Sequence, residues 1–519
     1  GGKGERRRGW RGGLTRMRSA ETVPAGFVLR QFEQKLDHFN CLAHANATFA
    51  QRYLLRDAEW REGAPMFVFT GAEGGDVTRV IGDYGLVLEL ADELGAIVVA
   101  VEGRFFGASV PGGHPAAHAI GRGMSLASTG SGSTPAPNST IGTLSVEQML
   151  EDYAAIIETV REEYSLGGWS GPVITFGGSL AGTLAALMRL SRPWLVDAAF
   201  ASSSPLLGWT GQVDPFAWRA RITTTWEESH AGCAALVRRG FAGLAELTPT
   251  EVAKQYKTCN QPFKGNNAAV RSIVWGQLET HAEFVYNVGL AKLTAACQRM
   301  SKPVSNDGAI FARFLNIATD ASTDTSRVQE SRCLNLSEPL GAEGPGRCES
   351  GCSRGVGLDV AAFAGNTPAS RHLDGWGYMA CTQIIHPIAA NNVTDFFPPS
   401  NWSITGLTRS CRHQWGAETR PHELSLRYGL NVRALARSAS RILFSYGSRD
   451  PWATMGVGWQ NLSEELPVVA VEGGSHCADV ASTRPGDTEA MLQARQAERQ
   501  ILRRWIGGSM RLEGGALVH

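Results

Sequence analysis

The stretch that most constrains this chain is Pro172 to Leu190, PVITFGGSLAGTLAALMRL. It opens with a short β-rich run, Val173-Ile174-Thr175-Phe176. It then turns through small residues, Gly177-Gly178-Ser179, and continues into a helix-prone run of Ala, Leu and Met. A strand, a sharp turn carrying Ser and a helix form an elbow that lifts a serine hydroxyl above a sheet. Small residues are needed because the turn is strained and the helix returns close to the strand. The backbone N–H of Leu180, at the helix start, then points to where an oxyanion would form. The pentapeptide Gly177-Gly178-Ser179-Leu180-Ala181 ends in Ala where the usual pattern has Gly. Taken alone, the segment also reads as a strand–turn–helix with an incidental Ser, so the rest of the chain has to decide.

The chain has 519 residues, enough for more than one structural unit. A hydrophobic fraction of 43% and a charged fraction of 19% are those of a globular protein with a substantial core. The formal net charge is zero, which gives no reason to expect a nucleic-acid partner. No run of 18 apolar residues marks a membrane span. Ten cysteines accompany six N-x-S/T sequons, at Asn46, Asn138, Asn335, Asn392, Asn401 and Asn461. That combination points to the secretory pathway, lysosome or vacuole, or the extracellular space. No signal peptide is visible, and the chain begins with Gly.

Residues 1–26 read as a disordered basic tail, and 511–519 as a second tail. Gln31–Asn40 and Phe49–Leu55 look like the opening hairpin of a sheet. His38 lies there but is read as structural, because no nucleophile is near it. Met66–Thr70 is a buried strand leading into Gly71-Ala72-Glu73-Gly74-Gly75. That turn lacks the Lys-Ser/Thr of a phosphate loop. Leu86–Leu94 reads as a helix and Ala96–Val101 as a strand. Arg104, beside aromatics, is expected to pair with Glu102 or Glu73. A Gly/Ser/Pro-rich loop fills 112–140, and Leu144–Tyr164 is an amphipathic helix capped by Ser145. Strand–helix alternation covers 27–205, stops over 206–424 and resumes over 425–510. The middle stretch holds eight of the ten cysteines, several helical patterns and a polar loop near 318–357. It is the expected place of a helical cap inserted into the sheet domain.

After the interruption, the strand Arg441–Gly447 ends in Ser448-Arg449-Asp450-Pro451-Trp452. The strand Val468–Glu472 ends in Gly473-Gly474-Ser475-His476, and Thr488–Trp505 is a closing helix. A Ser, then an Asp, then a His, each at a strand's C-terminal end, is the α/β-hydrolase order. The chemistry fits each type. Ser179 attacks a carbonyl, His476 takes its proton, and Asp450 orients the imidazole and stabilises its charged form. In this fold the loop after the Met66–Thr70 strand supplies a second oxyanion N–H, here at Gly71. The expected architecture is an α/β-hydrolase sheet with an inserted, mainly helical, disulfide-bonded cap.

These motifs carry a resemblance. They are Gln34-Lys35-Leu36-Asp37-His38-Phe39, Gln51-Arg52-Tyr53, Thr70-Gly71-Ala72-Glu73-Gly74, Arg104-Phe105-Phe106-Gly107, Ser145-Val146-Glu147-Gln148, Ala201-Ser202-Ser203, Ala380-Cys381-Thr382, Asp450-Pro451-Trp452 and Gly474-Ser475-His476-Cys477-Ala478-Asp479. With the elbow, they resemble the serine peptidase family of lysosomal prolyl carboxypeptidase, dipeptidyl peptidase II and thymus-specific serine protease. The resemblance runs from about Gln31 to Trp505. It implies an exopeptidase that cleaves beside proline under acidic conditions, with Ser179, Asp450 and His476 as its triad. It also implies peptide substrates, a homodimer, and neither metal nor cofactor. By position, Glu73, Thr183, Gln383, His386 and Trp452 would meet substrate.

The resemblance further implies disulfides Cys233–Cys297, Cys259–Cys333 and Cys381–Cys411. A fourth family bridge has lost both ends, at Asp214 and Ala389. Cys348 and Cys352 are candidates to pair with each other. Cys41 and Cys477 are left free, and Cys477 is read as a packed small residue.

Departures bear on specificity. Glu102-Gly103-Arg104 replaces Glu-His-Arg, Ala72-Glu73-Gly74 replaces Asn-Glu-Gly, and Leu180 replaces a Tyr. Cys477 and Ala481 replace the His and Arg of the carboxypeptidase pattern, as in the thymus-specific branch. Thr183 and His386 replace two Met of the proline pocket, a more polar wall that weakens selection of a proline ring. Glu73 is a candidate for holding a substrate α-amine, the dipeptidyl peptidase arrangement. An anchored carboxylate would instead make a carboxypeptidase. An esterase on the same fold and a catalytically silent binding protein are the other readings.

Overall fold

The computed structural model describes residues 23–40, 46–71, 73, 76–112, 140–164, 169–208, 211–256, 267–320 and 375–513. Eight strands form one sheet: β1 Val28–Lys35, β2 Thr48–Arg56, β3 Met66–Phe69, β4 Ile97–Val101, β5 Val173–Gly178, β6 Ala198–Ser202, β7 Ile442–Gly447 and β8 Val468–Val471. Their spatial order is β1-β2-β4-β3-β5-β6-β7-β8. The β1–β2 and β2–β4 pairs are antiparallel, and every later pair is parallel. This is an α/β-hydrolase sheet, opened by the hairpin expected from the sequence.

The central strands are buried at every position because both faces are covered. Met66, Val68, Val99 and Val101 face one core, while Phe67, Phe69, Val98 and Ala100 face the other. The first face is covered by helix α1 Val146–Tyr164, whose Gln148 N–H donates to Ser145 Oγ at 3.2 Å as the cap reading expects. Helix α2 Leu180–Ser191 packs there too, through Leu184 and Leu187. The second face is covered by Gly85–Leu94 and by the C-terminal helix Glu489–Glu513.

The connection from β6 to β7 divides by its packing. Helices within 217–315 build a separate core around Trp226, Phe241, Phe311, Phe314 and Phe397, stapled by Cys233–Cys297. By contrast, Tyr378, Cys381, Cys411, Trp415 and Leu424 join the core of the sheet, and Cys381 is bonded to Cys411. Ala389 N–H donates to Pro215 O at 2.9 Å, so the segments that would carry the lost fourth bridge lie side by side. Cys41, Cys259, Cys333, Cys348 and Cys352, with residues 1–22, 113–139, 321–374 and 514–519, lie outside the described residues. Among the described residues, no helix is long and apolar enough to cross a membrane. Asn46, Asn392, Asn401 and Asn461 are exposed, and the other two sequons lie outside the described residues.

Arg104 corrects an expectation. Its partner is neither Glu102 nor Glu73 but Asp152 on α1, held through Nε at 2.7 Å and Nη2 at 2.6 Å, with both side chains fully buried. Asp152 also meets His38 Nε2 at 2.9 Å and Gln51 Nε2 at 3.3 Å, which makes His38 part of the scaffold. The remaining guanidinium protons go to the carbonyls of Lys35, Leu36 and Thr143. Glu102 instead takes Arg52, Ser109 Oγ and the N–H groups of Val77 and Ala108. The sequence could not distinguish these carboxylates, because Asp152 is brought in by a helix 48 residues away.

Removing one partner of a buried ion pair leaves the other uncompensated, at a cost of about 3–5 kcal/mol. Asp152→Ala is therefore expected to lower the apparent melting temperature by several degrees, and an unchanged thermal melt would refute this account of the hub.

Candidate active site

The elbow is built by crowding. Ser179, between β5 and α2, has φ 58° and ψ −126°, a conformation that L-residues rarely adopt. A Cβ on Gly177 would sit 2.5 Å from the Cβ of Ala181. Thus Ala at the fifth place of the pentapeptide is accommodated because residue 177 has no side chain. A Cβ on Gly182 would sit 2.8 Å from Ser202 O and 2.9 Å from Gly177 O, so α2 approaches both β5 and β6 at backbone distance. Ser179 N–H donates to Ser202 O at 3.0 Å. Leu180 is the first residue of α2, so its N–H has no acceptor within the helix. Gly71 follows β3 with φ 62°, where a Cβ would sit 3.0 Å from Gly103 N and Val101 O.

Asp450 follows β7 and caps the short helical turn Pro451–Met455. Its Oδ1 accepts from Trp452 N–H at 2.9 Å and meets His476 Nδ1 at 3.0 Å. Asp450 and His476 are both buried, at 0% and 4% exposure, so the pair is shielded from water. Burial opposes charge on the imidazole. Cys477 and the Asp450 carboxylate outweigh it and hold the His476 pKa well above the ordinary range. Cys477 is buried and forms no disulfide among the described residues. It sits at φ 54°, and a Cβ on Gly178 would meet its Sγ at 2.7 Å. It therefore packs against the elbow, as the sequence reading has it.

The other expected residues separate. Glu73 Oε2 is buried with no hydrogen-bond partner, and burial pushes its carboxyl up to about 7 against the pull of His476. His386 meets Trp452 edge-on at 5.0 Å between ring centres, with Trp376 at 6.1 Å. Burial lowers the His386 pKa to about 3, so this ring stays neutral in an acidic compartment. Thr183 is buried, and its hydroxyl is paired with Ser204 Oγ at 2.8 Å. Gln383 is tied into the scaffold. Its Oε1 accepts from Val146 N–H at 2.9 Å, and its Nε2 donates to Glu147 and Glu423, each at 2.8 Å. These bonds fix the α1 N-terminus rather than face a ligand.

Sequence reasoning missed Glu283, Trp218 and Trp376. Glu283 accepts from Trp452 Nε1 at 2.6 Å, and its backbone carbonyl accepts from His476 N–H at 3.1 Å. Trp218 packs edge-on to Trp452 at 5.6 Å. None of the three lies in a motif, and only tertiary packing brings them to His476, Trp452 and His386. Among the described residues, no cluster of His, Cys, Asp and Glu could hold a metal.

A profile of the serine carboxypeptidase S28 family matches residues 34–126 and 131–498. The chain belongs to that family. As an S28 member it is a serine-type peptidase. It is 26% identical to human (Homo sapiens) lysosomal Pro-X carboxypeptidase over 94% of this chain and 90% of that protein. The Pongo abelii protein of the same name matches at the same identity and the same coverage. Mouse (Mus musculus) thymus-specific serine protease is 26% identical over 91% of this chain and 86% of its own length.

Behind the His476 loop lies a buried acid pair of this S28 chain. Ser202 Oγ donates to Asp479 Oδ1 at 2.7 Å, and Ser445 Oγ donates to Glu498 Oε1 at 2.7 Å. Burial raises the pKa of both, that of Glu498 strongly because the nearby Asp479 carboxylate also opposes its charge. Arg495 donates to the carbonyls of Ala478 and Asp479, at 3.0 and 2.9 Å. A carboxyl raised on folding favours the folded state fully below its unfolded pKa, and that advantage is lost as pH rises toward its folded pKa. Stability should therefore decline from acid toward neutral pH. Glu498→Gln removes one ionisable member, so its melting temperature should fall less than the wild type's between about pH 5 and about pH 8. Parallel melting curves for the two proteins would exclude the pair as the source of the slope.

Proposed function

We propose that this protein is a secretory or lysosomal serine exopeptidase that hydrolyses peptide bonds beside proline through an acyl-enzyme on Ser179. The observation that carries the reading is the Asp450 Oδ1 to His476 Nδ1 contact of 3.0 Å, buried at the edge of the sheet that presents the strained Ser179. His476 takes the Ser179 proton as the hydroxyl attacks the substrate carbonyl, and Asp450 stabilises the imidazolium that forms. The N–H groups of Leu180 and Gly71 would receive the oxyanion. His476 then delivers the proton to the leaving amine. Water attacks the acyl-enzyme by the same route, with His476 again as base, and frees Ser179.

Trp452, His386 and Trp376 form a rigid wall suited to a flat, apolar ring, and they support proline as the residue beside the cleaved bond. Pro-X carboxypeptidase is the name carried by the human and Pongo abelii relatives, which supports the carboxypeptidase form. A specific observation favours a second form, a dipeptidyl peptidase. The Glu73 carboxyl, electrostatically coupled to His476, has an oxygen without a hydrogen-bond partner, and a substrate α-amine would fill that place.

Product identification tests the reading. Wild type and Ser179→Ala are incubated at mildly acidic pH with two peptides, one with proline second from the N-terminus and one with proline second from the C-terminus. Ser179→Ala is expected to lose at least about 10⁴-fold in kcat. Release of one C-terminal residue identifies a carboxypeptidase, and release of an N-terminal dipeptide identifies a dipeptidyl peptidase. Cleavage of a simple ester but of neither peptide would sink the proline reading and favour an esterase.

A further inference from the structure

The second core supplies one element that reaches the triad directly. The helix Asn267–Glu283 ends at Glu283, and the next residues run along the His476 loop. Contacts join the two segments in sequence order. Glu283 O accepts from His476 N–H at 3.1 Å, the Phe284 ring meets the imidazole edge-on at 5.9 Å, and Tyr286 N–H donates to Ser475 Oγ at 3.0 Å. The Glu283 side chain turns to the other catalytic loop, where its Oε1 accepts from Trp452 Nε1 at 2.6 Å. Trp452 in turn donates its backbone N–H to Asp450 Oδ1, the atom that meets His476. One residue of the helical insertion therefore touches both loops that position the imidazole.

We propose that Glu283 is a positioning residue for the triad: its carbonyl and carboxylate fix the His476 loop and Trp452 together, and its charge acts on the imidazole. This rests on the reading of Ser179, Asp450 and His476 as the triad.

The surroundings determine what that charge can do. Glu283 is 4% exposed. The ionisable groups acting on it are His476 from the loop after β8, Asp450 from the loop after β7, and Glu279 from its own helix. Glu279 is engaged by Arg219 at 3.0 Å and by Trp275 Nε1 at 2.7 Å. Glu73, in the loop after β3, acts on His476 as well, and Cys477 adjoins it. Burial pushes the Glu283 carboxyl up to about 7, while His476 and the Trp452 hydrogen bond pull it down. Its ionisation thus falls in the range where the imidazole does its work. An anion there favours the imidazolium that forms when Ser179 is deprotonated, and it delays loss of that proton in the resting enzyme.

The test compares Glu283→Gln and Glu283→Ala with wild type by full pH profiles of kcat/KM on the peptide identified above. Gln still accepts from the Trp452 indole but carries no charge, whereas Ala does neither. For Glu283→Gln, the acid limb of the profile is expected to move to lower pH by about 0.5 unit or more, because His476 loses an anionic neighbour. Glu283→Ala is expected to show the same displacement and a further fall in kcat of about 10-fold or more that Gln restores. A double-mutant cycle with Trp452→Phe, which removes the indole N–H, should show coupling. Labelling of Ser179 by a fluorophosphonate verifies that each variant is folded and competent. An acid limb that stays in place in Glu283→Gln, or additive effects in the cycle, would overturn the proposal. If Ser179→Ala still turned substrate over, the triad reading itself would fail, an outcome separable from silent Glu283 variants.

Discussion

The structure depends on how closely helix α2 can return to the strands beneath it. The Gly177, Ala181 and Gly182 positions leave no room for a larger side chain, and the backbone oxygens of Ser202 and Gly177 lie where a Cβ on Gly182 would be. This closeness forces Ser179 into positive φ and holds it there, because the surrounding sheet and helix outweigh the local strain. Ser203, at the end of the neighbouring strand, and Cys477, beside His476, are also held at positive φ. Ser203 Oγ accepts from Cys477 N–H at 2.9 Å, so two of these strained turns are tied by a hydrogen bond. The reactive geometry is thus a property of the packed strand ends and not of any single loop.

A second constraint is electrostatic. The chain buries several carboxylates near its site and treats each differently. Asp152 is neutralised by Arg104 and becomes a hub for the hairpin and α1. Asp450 is matched to His476. Asp479 and Glu498 face each other and lean toward the neutral form, as does Glu73, which acts on His476 from the loop after β3. Burial pushes a carboxyl toward its neutral form, and a close cation opposes that push. Three different outcomes from one functional group show why residue type alone says little about role.

Much of the site could be read from the sequence because its signals are local. A strand-ending Ser with small neighbours, an Asp-Pro-Trp after a strand and a Gly-Ser-His after the last strand each leave a contiguous trace, and their order along the chain adds specificity. The sheet was legible for the same reason, since its strands are short apolar runs separated by helices and turns. What escaped are partnerships across distance. Arg104 could be recognised as a buried cation, but Glu102 and Glu73 were the wrong partners, because Asp152 is brought to it by a helix that packs against the hairpin. The family resemblance places Gln383 in the cleft, whereas its amide is held by Val146, Glu147 and Glu423. Glu283 sits at a helix end with no motif around it, and nothing in 267–283 announces that it meets Trp452. The segment 375–424 had no strand–helix alternation to tie it to the sheet, yet Tyr378, Trp415 and its disulfide are part of the sheet's core.

Trp452 and Met455 follow a strand of the sheet, but they are buried in the same core as Trp226, Phe241 and Phe397. The wall of the candidate specificity pocket is therefore seated by the interior of the helical insertion. Substitutions deep in that interior, far from any substrate, would tilt the indole by fractions of an ångström while leaving Ser179, Asp450 and His476 untouched. Substrate preference in such a scaffold can drift through hydrophobic repacking, and the identity of the pocket residues then underdetermines what two relatives cleave.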